Sequence, residues 1–228
     1  MSWWMGDLAQ SGRYVELLSW IFWVLLSITL HELAHGWAAI RQGDDTPLRY
    51  QRMTVNPIVH MGLHSLVVFA LCGIAWGQMP VNRHRFKDGH KGDVYVAAAG
   101  PAMNVLIALV CIILLTLWIS IGPQGTNLAR NIAIFLYLGV GLNLILAPFN
   151  LLPIPPLDGS RILAGISPRI RELYERPQAQ LFGLFVFIAI FFMTPIGGLF
   201  FEMGWEGAAL LIDTVGGLVG NPPIGRAI

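Results

Sequence analysis

Apolar residues run along this chain in long unbroken stretches, not in the three-and-four spacing of a helix that shows one face to water. Four stretches reach the roughly 20 residues that cross about 30 Å of hydrocarbon: Tyr14–Ile40, Val94–Ile121, Asn131–Leu152 and Gln180–Phe201. Each predicts a membrane-spanning helix. A fifth run, Ser65–Trp76, has only about a dozen residues, the length of a re-entrant or buried segment. Trp205–Val219 is short, Gly-rich and interrupted by Glu206 and Asp213, which suits an interfacial helix or a last partial span. The expected fold is an all-α polytopic membrane protein of about four to six transmembrane helices, with a re-entrant or short segment between the first and second core helices. The chain reads as a single membrane-embedded domain over 1–228, with a core over 14–165 and C-terminal helices over 180–219.

Composition agrees with the pattern. The sequence is 55% hydrophobic and 12% charged, against about 25% charged in soluble domains. A formal net charge of +1 with no Lys/Arg-dense arm excludes a nucleic-acid partner. Cys72 and Cys111 both lie inside apolar runs, so neither a disulfide framework nor a thiolate metal site is expected. Met1–Ser11 has no Lys or Arg ahead of an apolar core, which argues against a cleaved signal peptide and keeps the first hydrophobic segment in the mature chain.

Charge also orients the chain. If Ser65–Trp76 does not span, Arg41, Arg49, Arg52, Arg83, Arg85, Lys87, Lys91, Arg161, Arg169, Arg171 and Arg176 share one side, with Arg13 and Arg130 opposite. That partition follows the positive-inside rule and favours the re-entrant reading, with the N-terminus outside. The basic loop would then lie against anionic lipid heads on the inner side.

The chemistry is concentrated in His31-Glu32-Leu33-Ala34-His35, inside the first spanning helix. Histidines at i and i+4 project from one helix face and can hold one zinc ion through imidazole nitrogens. Glu32, about 100° round from His31, can reach a water beside the metal without entering the metal's own ligand set. A purely structural role would need a separate polar partner for each of three ionisable side chains in hydrocarbon. A third ligand is needed, and Asp158, His60, His64, Glu202, Glu206 and Asp213 are the candidates. Asp158 stands out because the non-spanning topology returns it to the end of the membrane where His31 and His35 lie. The alternative is that Asp158 only caps the helix beginning near Gly159.

Other polar residues have two readings each. His60 and His64 form a second i, i+4 pair that suits a regulatory metal if their stretch is helical, although Pro57 and Gly62 weaken that helix. Gly100-Pro101 marks a kink or a helix start, or a close backbone approach. Asn104, Asn143 and Asn150 either bond across helices or serve the site, with Asn150 favoured by its nearness to Asp158 and Asn143 least favoured.

Taken together, His31-Glu32-Leu33-Ala34-His35, Ala99-Gly100-Pro101-Ala102-Met103-Asn104 and Asn150-Leu151-Leu152-Pro153-Ile154-Pro155-Pro156-Leu157-Asp158-Gly159 resemble the site-2 protease family. The resemblance covers roughly residues 20–165. Asn56-Pro57 with His60, and Ala75-Trp76-Gly77 leading to Pro80-Val81-Asn82, are similar to its compact bacterial branch without PDZ or CBS domains. Two departures are Met61-Gly62-Leu63-His64, where relatives have an Asp-Pro turn, and Ser160 in place of a glycine.

The resemblance implies an intramembrane zinc metalloendopeptidase that cuts peptide bonds in or near transmembrane segments of membrane-protein substrates, in regulated proteolysis. It implies that His31, His35 and Asp158 bind one Zn2+, that Glu32 is the general base, and that Asn104 and Asn150 support the site or orient substrate. It also implies a multi-pass protein of the bacterial cytoplasmic membrane, with its active site toward the cytoplasm. The rival function is a zinc-binding membrane transporter or metal sensor without peptidase activity. Ser65–Trp76 is the expected place for an extended clamp on an unwound substrate.

Overall fold

The computed structural model describes residues 4–123, 125–174 and 176–221. Ten α-helices and no strand occur among the described residues. A short α1 (Trp4–Gln10) leads into α2 (Tyr14–Arg41), followed by the single turn α3 (Thr46–Arg49) and α4 (Pro57–Cys72). Then come α5 (Gly89–Ile121), α6 (Asn127–Asn150), the short α7 (Asp158–Ile166) and α8 (Pro168–Tyr174), α9 (Pro177–Met193) and α10 (Ile196–Leu218).

Three helices, α2, α5 and α6, are long and apolar enough to cross a membrane, and the bent pair α9–α10 supplies a fourth crossing if it counts as one span. The contacts give their directions. His35 meets Val96 and His31 meets Asn104, so α5 runs opposite to α2. Asn104 meets Asn143 and Trp118 meets Ala129, so α6 runs opposite to α5 and along α2. The C-terminal end of α2, the start of α5 and the end of α6 therefore lie at one end of the bundle, and α4 does not carry the chain across.

The residues of α4 explain why. Asn56 caps it, its side chain accepting from the Ile58 N–H at 3.0 Å, with Pro57 at the first helical position. Gly62, at φ 68° and ψ 165°, breaks it in a conformation that favours glycine, and Gly73 ends it at φ 76°. The ten residues from 63 to 72 cover only about 15 Å at 1.5 Å per residue. The short run is thus helical up to Cys72, where an extended clamp was expected over Ser65–Trp76, and the segment from Ile74 to Asn82 that follows is neither helix nor strand.

The core forms where the three long helices meet, around Trp23, Cys111, Ile112, Leu115, Val140 and Leu142, with Ile212 of α10. The Trp23 indole N–H donates to the Phe135 carbonyl at 2.6 Å, which satisfies its one polar atom inside the apolar bundle.

The C-terminal third departs from the expectation. Gln180–Phe201 is not one straight span, and Trp205–Val219 is not a separate segment. The chain breaks at Thr194-Pro195, where Thr194 is extended and proline removes a helical donor, and the two halves bend by 72°. Trp205 stacks on Tyr137 with centroids 5.6 Å apart and sits over Gly141, while Ala208, Ala209 and Ile212 are buried. A methyl on Gly141 would lie 1.7 Å from the Trp205 ring. Gly141→Ala should therefore cost about 1–3 kcal/mol by overpacking. Thermal unfolding in detergent checks this, and an unchanged midpoint would contradict the seating of Trp205.

Candidate metal centre

The α-helical repeat of 3.6 residues places His31 and His35 one above the other on α2, facing α5. His31 Nδ1 lies 2.7 Å from Asn104 Oδ1, and His35 Nδ1 lies 2.7 Å from the Val96 carbonyl oxygen. Both partners can only accept, so each Nδ1 carries a hydrogen and each Nε2 points its remaining electron pair inward. Gly100 allows this approach, because a methyl there would come within 2.4 Å of His35 Nε2 and 2.5 Å of His31 Nε2. Gly100-Pro101 accordingly lies inside an unbroken α5 and serves close contact, starting no helix.

Asp158 arrives from the far end of α6. Its Oδ2 lies 3.1 Å from His31 Nε2 and 3.2 Å from His35 Nε2, and the two Nε2 atoms are 3.0 Å apart. It is the first residue of α7, preceded by Leu157 at the cap position, where no side-chain cap bond forms. The carboxylate therefore faces the imidazoles and does not serve as a cap. Arg161, one turn on, donates from Nη2 to Asp93 Oδ1 at 2.8 Å and so fastens α7 to α5.

Three electron-pair donors at this spacing repel one another unless a cation sits among them. Ligands arranged tetrahedrally at about 2.0–2.1 Å from zinc lie about 3.3 Å apart, so both the donor types and the spacing fit that metal. Among the described residues, this is the only group of three or more His, Cys, Asp or Glu side chains placed to share an ion. The other histidine pair does not converge. The break at Gly62 separates it, leaving His60 buried with Nε2 on the Thr54 carbonyl at 2.6 Å and His64 exposed.

Glu32 is buried beside the cluster, against the irregular stretch 74–82, where a methyl on Gly77 would lie 2.8 Å from Glu32 Oε1. That stretch is held from behind. The Ser65 hydroxyl donates to the Trp76 carbonyl at 2.7 Å and accepts from the Trp76 N–H at 2.9 Å, and the Gln78 N–H donates to the His60 carbonyl at 3.0 Å. At its far end the Asn82 N–H donates to the buried Asp44 carboxylate at 2.6 Å.

Of the two asparagines matched to the family motifs, Asn104 contacts a histidine of the cluster. Asn150 donates to the Leu146 carbonyl of its own helix at 2.9 Å. Sequence reasoning underrated Asn143, which bonds to Asn104, and passed over Ser27 and Val96. Ser27 had a readable signal, because it lies one turn before His31 on the same helix face. Val96 acts through its backbone carbonyl, which leaves no mark in residue type.

Comparison with known proteins agrees with this chemistry. The model of Peptidase family M50 matches residues 118–194. The chain is 37% identical over 177 residues to "Putative zinc metalloprotease YwhC" of Bacillus subtilis, covering 76% of this chain and 80% of that one. It is 30% identical over 216 residues to "Putative zinc metalloprotease Rip2" of Mycobacterium tuberculosis, covering 88% and 77%. To "Putative zinc metalloprotease MJ0611" of Methanocaldococcus jannaschii it is 33% identical over 135 residues, covering 58% and 62%. No solved structure matches. The class is that of a zinc metalloendopeptidase built into a bundle of membrane-spanning helices. Within it, the chain belongs to peptidase family M50, the site-2 protease family.

Proposed function

We propose that this protein hydrolyses peptide bonds in or near the transmembrane segments of membrane-protein substrates, in regulated proteolysis, with His31, His35 and Asp158 holding the zinc and Glu32 as general base. The observation that carries this reading is the convergence of the two Nε2 atoms and Asp158 Oδ2 within 3.0–3.2 Å, with Glu32 buried next to them. Zinc bound there would supply Lewis acidity to the scissile carbonyl and acidify an adjacent water. Glu32 takes the proton of the attacking water and returns it to the leaving amide nitrogen. Asn104 and Val96 hold the imidazoles in the tautomer that leaves Nε2 free.

The stretch 74–82 is the surface against which an unwound substrate would lie. The Trp76 N–H and carbonyl and the Gln78 N–H are taken up on the α4 side. A side chain at Gly77 would meet Glu32, so the glycine leaves room beside Glu32 for a substrate strand laid along this stretch. Asn150, at the last turn of α6, is assigned to orienting that substrate. Arg41, Arg49, Arg52, Arg83, Arg85, Lys87 and Lys91 gather at the site's end of the bundle, which supports a cytoplasmic-facing site in a bacterial inner membrane. A transporter or metal sensor is the weaker reading, because the family is one of peptidases.

Zinc content of the detergent-purified protein tests the ligand set. Wild type should carry about one zinc per chain, and His35→Ala and Asp158→Ala should lose it. Full retention by Asp158→Ala would remove Asp158 from the site.

A further inference from the structure

We propose that Asn143, on α6, is a positioning residue for the metal centre, setting the tautomer of His31 through Asn104. The inference rests on the reading of His31 as a zinc ligand and goes beyond it.

The argument starts at a backbone carbonyl. Asn143 Nδ2 lies 2.9 Å from the Gly139 carbonyl oxygen, one turn back on α6, and 2.9 Å from Ser27 Oγ on α2. A carbonyl oxygen can only accept, so the Asn143 amide must turn its NH2 toward Gly139 and Ser27 and its Oδ1 the other way. Asn143 Oδ1 then faces Asn104 at 2.9 Å, so Asn104 must present its own NH2 to it. This leaves Asn104 Oδ1 facing His31 Nδ1 at 2.7 Å, which has to be an N–H. The remaining electron pair of His31 is thereby forced onto Nε2, the atom that meets His35 and Asp158.

Each link has one orientation that leaves no donor facing a donor. Asn104 and Asn143 are both fully buried within the bundle of long helices, where a flipped amide would leave polar atoms unmatched. The relay spans all three long helices: Ser27 and His31 on α2, Asn104 on α5, Asn143 on α6. His35 needs no such relay, because the Val96 backbone carbonyl sets its tautomer directly.

The test is a thermodynamic cycle on zinc affinity, measured by chelator competition, with the visible absorption of the cobalt-substituted protein as a second readout. Asn143→Leu conserves volume, and Asn143→Ala, read in parallel, guards against a variant that does not fold. Both variants should weaken zinc by about 10–100-fold in the wild-type background and alter the cobalt spectrum. In the Asn104→Ala background, where the relay is already cut, they should have no further effect on affinity. A merely structural asparagine would lower the unfolding temperature but leave the zinc affinity of folded protein unchanged. Wild-type zinc affinity in a folded Asn143 variant, or equal weakening in both backgrounds, overturns the relay alone. Wild-type protein that takes up no zinc overturns the ligand assignment beneath it.

Discussion

Glu32→Gln should leave about one zinc per chain and lower peptide hydrolysis by about 10²–10⁴-fold, the usual contribution of a positioned general base. The amide is close in size to the carboxylate, so the packing against Gly77 survives, and the residue is not among the three converging donors. What disappears is the capacity to accept a proton from the attacking water. Metal analysis of the purified variant, paired with cleavage of a transmembrane substrate in detergent or vesicles, separates the roles. Loss of zinc in Glu32→Gln would make Glu32 a ligand. Undiminished cleavage would show that another group is the base.

Gly100→Ala should be comparably damaging for a steric reason. In most helix interiors alanine is favoured over glycine by about 1 kcal/mol. Here the added methyl would lie 2.4 Å from His35 Nε2 and 2.5 Å from His31 Nε2, within the space between the ligand nitrogens and α5. Either the imidazoles rotate or α5 retreats, taking the Val96 and Asn104 acceptors with it. Zinc affinity should fall tenfold or more, as when the groups that orient ligands are removed, and hydrolysis should fall with it. Gly207→Ala is the control, because a methyl there meets nothing within 4 Å. If Gly100→Ala binds zinc and cleaves like wild type, the approach of α5 does not constrain the site.

Particular residues show how far the chain could be read in advance. His31, Glu32 and His35 were legible because helical geometry is local: the spacing of three residues in an apolar run already places two imidazoles on one face with a carboxylate nearby. Ser65–Trp76 was legible in length but not in conformation. Its brevity and the charge partition favoured a re-entrant segment, while the positions of its bends depended on Gly62 and Gly73 adopting positive φ. The C-terminal third was misjudged because continuous hydropathy hid the Thr194-Pro195 break, and because Glu206 and Asp213 proved compatible with one helix, α10. For the pair His60 and His64, Gly62 already weakened a helical reading in the sequence, and the chain bends at that glycine.

By itself, then, the sequence determined the membrane class, the long helices, the two-histidine turn with its glutamate and the gathering of positive charge toward one side. Each of these follows from transfer free energy and helical periodicity, which act over a few residues to one span. Only the tertiary structure decided that Asp158 faces the histidines in place of capping α7, that Val96 and the pair Asn104–Asn143 set the imidazole tautomers, and that Gly100 and Gly77 press backbone against the reacting groups. These depend on how closely separate helices approach, to within a few tenths of an ångström. That distance is set by packing among residues dozens of positions apart, where no periodic signal in the chain can register it.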